Sequence, residues 1–151
     1  MVSMKKTQTK KLRVLADDRG YLFEALRKGD KLFDGKFGQV LVSVSKAGVI
    51  RAWHRHKKQT DYTCCVQGKI LFGTAEEKKN GKAKTKKYVL DGKKPVLVKV
   101  PPKVWHGYKV LGKKEAMVLY IMDVPYNPKN PDEQRKEWNA FGKEVWKTKN
   151  K

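Results

Sequence analysis

Apolar and polar residues alternate along most of this chain with a period of two, the spacing that turns one face of a strand to a core and the other to water. "FGQVLVSV" at 37–44 alternates, "KAG" interrupts, and "VIRAWHRH" at 49–56 alternates again, which predicts a hairpin. "DYTCCVQGKILFGTAEE" at 61–77 predicts a strand, a turn at "QGK" and a second strand. "KKNGKAKTKK" at 78–87 predicts a polar loop with an Asn-Gly turn. Residues 87–124 supply three or four more short strands, cut by Gly, Pro and Lys, and only "EQRKEWNAFGKEVWK" at 133–147 has helical spacing. Many short strands in one chain without an internal repeat predict a single all-β domain over 1–151, a sandwich, jelly roll or barrel. Its core runs from about 13 to 135, with basic tails and a short helical C-terminal segment.

The same period places particular side chains. His54 and His56 stand two apart and share a face, whereas the adjacent Cys64 and Cys65 point to opposite faces. Two neighbouring cysteines cannot form a disulfide framework, so a reducing, cytoplasmic setting is expected.

Composition narrows the function classes. With 151 residues, 39% hydrophobic and 34% charged, the chain reads as globular, and no apolar run approaches the roughly 18 residues of a membrane span. The basic N-terminus lacks an apolar h-region, so no secretory signal and no membrane partner are read. The net charge of +21 rests on 36 Lys and Arg, of which only six are arginine. The lysines crowd residues 5–11, 78–88 and the tail, and bidentate phosphate recognition would favour arginine. A solvated lysine-coated surface is therefore expected rather than a dedicated nucleic-acid partner. Its field should draw small anions to any cleft.

The chemistry concentrates in two stretches. Gly48-x5-His54-x-His56-x4-Asp61-x6-Gly68, followed by Pro101-x4-His106, resembles the two motifs of the cupin superfamily, with Asp61 where Glu is usual and Lys103 in place of a glycine. This likeness implies a double-stranded β-helix (jelly-roll) barrel whose motif residues face the interior.

Four blocks in order add a sharper resemblance. "DDRGYLFE" (17–24), "FGQVLVSVSKAGVIRAWH" (37–54), "VPPKVWHGY" (100–108) and "LYIMDVPYNP" (119–128) are similar to segments of the dTDP-4-dehydrorhamnose 3,5-epimerase family, itself a cupin. The resemblance implies removal of a proton α to the 4-keto group of a dTDP-sugar and reprotonation from the opposite face. It implies His54 as the base, Tyr120 as the opposing acid, and Arg51 on the diphosphate. Arg19, Glu24 and Gln39 would touch the nucleotide, and His106 and Tyr126 would line the sugar and base ends. It also implies a homodimer that exchanges N-terminal strands, so that Arg19 and Glu24 reach a neighbour's site, and no cofactor.

The pocket departs from the family in three places. Asp61 stands where the family carries a lysine, Leu41 where it has an asparagine, and His56 where a glutamine is usual. If His54 is the base, Asp61 or His56 is the partner within the motif that could orient its ring. Two other readings stay open. His54, His56, Asp61 and His106 would suit a divalent transition metal in a metal-dependent cupin enzyme. "RAWHRHK" also resembles the paired-histidine stretch of sugar-nucleotide 3,4-ketoisomerases, and loss of the lysine would suit a non-catalytic sugar-binding cupin.

Overall fold

The computed structural model describes residues 6–148; the outermost residues of the basic tails, 1–5 and 149–151, lie outside it. Twelve strands follow in chain order: β1 (Gln8–Lys11), β2 (Val14–Asp17), β3 (Gly20–Phe23), β4 (Gln39–Ser45), β5 (Ile50–His56), β6 (Asp61–Gln67), β7 (Lys69–Glu77), β8 (Ala83–Asp91), β9 (Val96–Val100), β10 (Trp105–Val110), β11 (Ala116–Met122) and β12 (Glu133–Arg135). They form two five-stranded sheets, β1-β9-β6-β11-β4 and β12-β5-β10-β7-β8, with β2-β3 as a separate hairpin. Every strand pair in the sheets is antiparallel.

The strands expected from alternation are present, but the hairpin expected at "KAG" is not. β4 pairs with β11, while β5 pairs with β10 and β12 in the other sheet. The "KAG" turn thus carries the chain from one sheet to the other. "QGK" does the same between β6 and β7. Gly68 sits at that corner with φ of 76°, and a Cβ there would lie 2.5 Å from the Glu115 carbonyl oxygen, so only glycine fits. These crossings make the jelly roll. The Asn-Gly loop, in contrast, closes a true β7–β8 hairpin, with Lys78 N donating to Lys82 O at 2.7 Å.

Apolar residues fill three layers. Cys65, Ile70, Phe72, Val98, Val118 and Tyr120 are among those that pack between the sheets. Tyr62, Cys64 and Leu97 face outward under Leu12 and Leu32. Cys64 and Cys65 therefore part to opposite faces, as the period requires. A third cluster joins Trp53 and Trp105, on the outer face of the second sheet, to Val145 and Trp146 of the C-terminal segment.

That segment corrects the helical expectation for 133–147. Its first residues pair with β5 as β12, and helical geometry is confined to one 3-10 turn at Lys143–Trp146. A helix this short is marginal in water. Docking the indoles wins instead: Trp53 and Trp146 both donate Nε1–H to the Trp138 carbonyl, at 3.0 and 2.7 Å. Trp146→Phe should cost about 1–2 kcal/mol, from one lost hydrogen bond and imperfect refilling. Urea unfolding followed by fluorescence checks this.

Candidate active site

His54 on β5 lies directly opposite His106 on β10, and their ring centroids are 4.1 Å apart. His56, two residues on, turns to the same side, 5.6 Å from His54 and 5.9 Å from His106. The three histidines therefore converge, as the cupin resemblance implies.

A bulge brings Arg51 to the same side. His54 pairs with His106 and Arg51 with Tyr108, so three steps on β5 oppose two on β10. In a regular strand, residues three apart face opposite ways; the extra residue restores them to one face. Gly107 makes the bulge possible, because a Cβ there would overlap the Ala52 side chain and backbone. Arg51 then donates from Nε to Ser45 Oγ at 2.7 Å, and Ser45 and Ser43 both hydrogen-bond the Tyr108 hydroxyl, at 2.9 and 3.0 Å. This network occupies one edge of the guanidinium and leaves its terminal amino groups to the cleft.

Asp61 opens β6 in the facing sheet and is 2% exposed. Its Oδ2 accepts from His106 Nε2 at 2.9 Å and lies 3.5 Å from His56 Nε2, while Oδ1 accepts from Gln59 Nε2 at 2.6 Å. His106 Nδ1 faces the Val104 carbonyl at 3.0 Å and His56 Nδ1 the Asp132 carbonyl at 2.8 Å. Asp61 therefore partners His106 and His56 rather than His54. Among the described residues the His54 ring has no hydrogen-bond partner.

The electrostatics separate these groups. Burial holds the His54 pKa well below the ordinary imidazole value, and neighbouring His106 adds to the effect, so the ring is neutral. Burial also opposes charge on His56, but its contacts with Asp61 and the Asp132 carbonyl outweigh it and raise the pKa. Asp61 shows the same contest: burial disfavours its charge, yet the bonds from His106 and His56 pull its pKa far below the usual carboxylate range. Burial, with Tyr108 and Asp61 nearby, raises the Tyr120 pKa well above the ordinary phenol value. The Tyr120 hydroxyl stays protonated and has no hydrogen-bond partner among the described residues.

These groups line one cleft of about 1020 Å³, the size of a small-ligand site. His54, Arg51, Tyr120, Gln39 and Tyr126 are all on its wall, and Gln39 Oε1 accepts from the Tyr126 backbone N–H. Leu41, where the resemblance would put an asparagine, is there too. His106 is not on the wall; at 1% exposure it lies behind, against Asp61 and His54. Arg19 and Glu24 lie away from the cleft at the β2–β3 hairpin, paired with Asp17 and Arg27. Trp53 borders the cleft, but it is buried and its indole packs against Trp146 on the outer face of the sheet.

Sequence reasoning missed Gln59, the Ser43–Ser45–Tyr108 network and the whole of 131–136, whose Asp132, Glu133 and Arg135 line the cleft. Gln59 was within reach, two residues before Asp61 in the first motif. Asp132 gave no local signal, since its partners lie 73 to 76 residues away.

The comparisons with known proteins agree with this geometry. Residues 15–134 match the family model described as polysaccharide biosynthesis C-terminal domain. The chain is 37% identical over 135 residues to the spore coat polysaccharide biosynthesis protein SpsL of Bacillus subtilis, covering 87% of this chain and 88% of that one. It is 26% identical to a probable low-salt glycan biosynthesis epimerase, Agl13, of Haloferax volcanii, covering 93% and 97%. Among solved structures, a dTDP-4-dehydrorhamnose 3,5-epimerase of Bacillus anthracis superposes with a TM-score of 0.78 at 25% identity, over 99% of this chain and 90% of that one. A dTDP-sugar isomerase of Desulfovibrio desulfuricans shares the fold at TM-score 0.81 and 22% identity, over 91% and 87%. Alternation, crossing strands and converging histidines thus lead to one conclusion: the chain belongs to the polysaccharide biosynthesis C-terminal domain family, built on the cupin barrel of the dTDP-4-dehydrorhamnose 3,5-epimerases.

Proposed function

We propose that this protein is a sugar-nucleotide epimerase or isomerase that moves a proton α to the 4-keto group of a dTDP-sugar. One observation carries the reading: His54 on one sheet and Tyr120 on the other line the same cleft, each without a hydrogen-bond partner among the described residues. His54 takes the proton from the α carbon, the C–H electrons move into the carbonyl to give an enolate, and Tyr120 returns a proton from the facing wall. Arg51, gripped along one edge, binds the diphosphate bidentately. Gln39 and Tyr126 hold the nucleotide end. His56 and Asp61 are accessory, and His106 acts from behind the wall by fixing Asp61. The buried free thiols Cys64 and Cys65 suit a reducing cytoplasm. Incubating the protein with a dTDP-4-keto-6-deoxy sugar in deuterated water tests the reading. Deuterium should appear at C3, C5 or both, and its position names the reaction; no incorporation at either carbon refutes it.

A homodimer completes the site in this reading. β4 is an open sheet edge, and Val40, Val42 and Val44 along it are each about half exposed. Leu15, Tyr21 and Leu22 of the β2–β3 hairpin are exposed too. Open apolar edges invite pairing, and a second copy would cover them while bringing Arg19 and Glu24 to its partner's cleft. Light scattering should give twice the chain mass, and Val42→Asp should give monomers with exchange at least tenfold slower.

A second reading has its own observation. The donor atoms of His54, His56, Asp61 and His106 all lie within 4.8 Å of one another. In His56 and His106 the Nδ1 atoms are held by backbone carbonyls, so both Nε2 atoms point at Asp61, the second-layer arrangement common around metals. Three imidazoles and a carboxylate fit a transition-metal dication, which would polarise the keto group as a Lewis acid. Under that reading elemental analysis finds about one metal per chain and chelation stops exchange. Under the first, exchange survives chelation undiminished.

A further inference from the structure

We propose that Asp132 is a positioning residue that fixes the His56 ring in one tautomer and ties the 57–60 loop to the wall of the cleft. The inference rests on the epimerase or isomerase reading only for what His56 then does; the geometry stands by itself. The Asp132 carboxylate accepts three consecutive backbone N–H groups: Lys57 at 3.0 Å, Lys58 at 2.8 Å and Gln59 at 2.9 Å. Burial works against charge on this carboxylate, but the amides outweigh it and hold the group ionised. Such a cradle is a strong, charge-assisted set of bonds.

The same residue presents its backbone carbonyl to His56 Nδ1 at 2.8 Å. A carbonyl only accepts, so Nδ1 must carry a hydrogen. Nε2 is thereby the nitrogen aimed at Gln59 Nε2, 3.2 Å away, and at Asp61, 3.5 Å away. Gln59 is itself at the end of the amide run that Asp132 grips. One residue thus sets the His56 tautomer directly and, through the loop, the amide that faces His56 and Asp61. Two strand pairings fix where it does this: Glu133 lies opposite His56 and Arg135 opposite His54. Asp132 ends the loop that runs into this ladder, so the carboxylate sets how the ladder begins.

The chain supplies a built-in comparison. His106 is held by Val104, two residues away on its own strand entry, and its anchor does not depend on Asp132. Loss of the carboxylate should disturb one histidine and spare the other.

The test uses the full chain labelled with 15N in its histidine rings. In the wild type, at a pH high enough for the ring to be neutral, His56 should give the signature of a single Nδ1–H tautomer. Asp132→Ala should turn this into a mixture, while the His106 signals stay unchanged. In parallel, kcat for deuterium exchange should fall about 10–100-fold, the usual effect of removing a partner that orients a functional ring, with KM within about twofold of wild type. Asp132→Asn, which keeps one acceptor oxygen for the loop amides, should lie between the two in both tautomer mixture and rate. An unaltered His56 tautomer in Asp132→Ala overturns the proposal, as it does in Asp132→Asn should the alanine variant not fold. So does a rise in KM at unchanged kcat, which would make Asp132 a substrate contact. If the wild type exchanges no deuterium, the sugar-nucleotide reading fails, but the ring signals still decide the role of Asp132.

Discussion

His54→Asn is expected to slow deuterium exchange into the sugar by about 10²–10⁴-fold, the usual worth of a positioned general base. Asparagine keeps a polar group of similar reach on the same strand face but has no lone pair basic enough to take a carbon-bound proton. The imidazole suits that task because burial and its histidine neighbours keep it neutral, and among the described residues no hydrogen bond ties up its nitrogens. Tyr120→Phe should behave differently. Abstraction precedes protonation from the other sheet, so this variant should keep more of its exchange than of its net epimerisation. NMR of the product, read for both deuterium content and configuration, separates the two. Exchange persisting undiminished in His54→Asn would remove His54 as the base.

Replacing Asp61 should have the largest effect on stability. The family resemblance puts a lysine near this position, which makes Asp61→Lys the obvious substitution to restore it. The expected result is instead a chain that does not fold. His106 and His56 both turn their Nε2 atoms towards the carboxylate, and Gln59 donates to it, all in a pocket where Asp61 is 2% exposed. A lysine would set an ammonium among donors, with no anion to meet it. The uncharged Asp61→Leu should still cost about 3–5 kcal/mol, the penalty for breaking a buried pair and leaving its partner alone. Urea unfolding checks both. Because the Asp61 pKa is depressed in the folded chain, its contribution is fully present above the unfolded value of about 3.9 and is lost as pH falls through the lower, folded one. An Asp61→Leu protein as stable as wild type at neutral pH would show that the carboxylate is not holding the histidines.

Where the resemblance would put a lysine, the pocket of this chain holds an anion that organises two imidazoles. Substitution at one position therefore cannot convert one arrangement into the other, since His56, Gln59 and Asp61 are mutually adapted.

Local pattern was enough to say which residues form strands and which way their side chains turn. Alternation placed His54 with His56 and split Cys64 from Cys65, because the two-residue period of a strand is a local property of the backbone, and the Asn-Gly dipeptide marked a turn. The resemblance of the two motifs to those of the cupins implied the barrel and the convergence of His106 on His54. Which strands meet was settled by the folded chain. "KAG" and "QGK" look like hairpin turns but are crossings between sheets, since pairing partners are chosen by closure of the whole barrel. The folded chain also settled that Asp61 serves His106 across 45 residues, that a bulge swings Arg51 round to face the cleft, and that 133–135 adds a strand instead of beginning a helix. Asp132 shows the reason most plainly. Its four hydrogen-bond partners are a turn of loop and a histidine ring more than seventy residues upstream, and no local pattern encodes a contact that exists only once two distant segments share a wall.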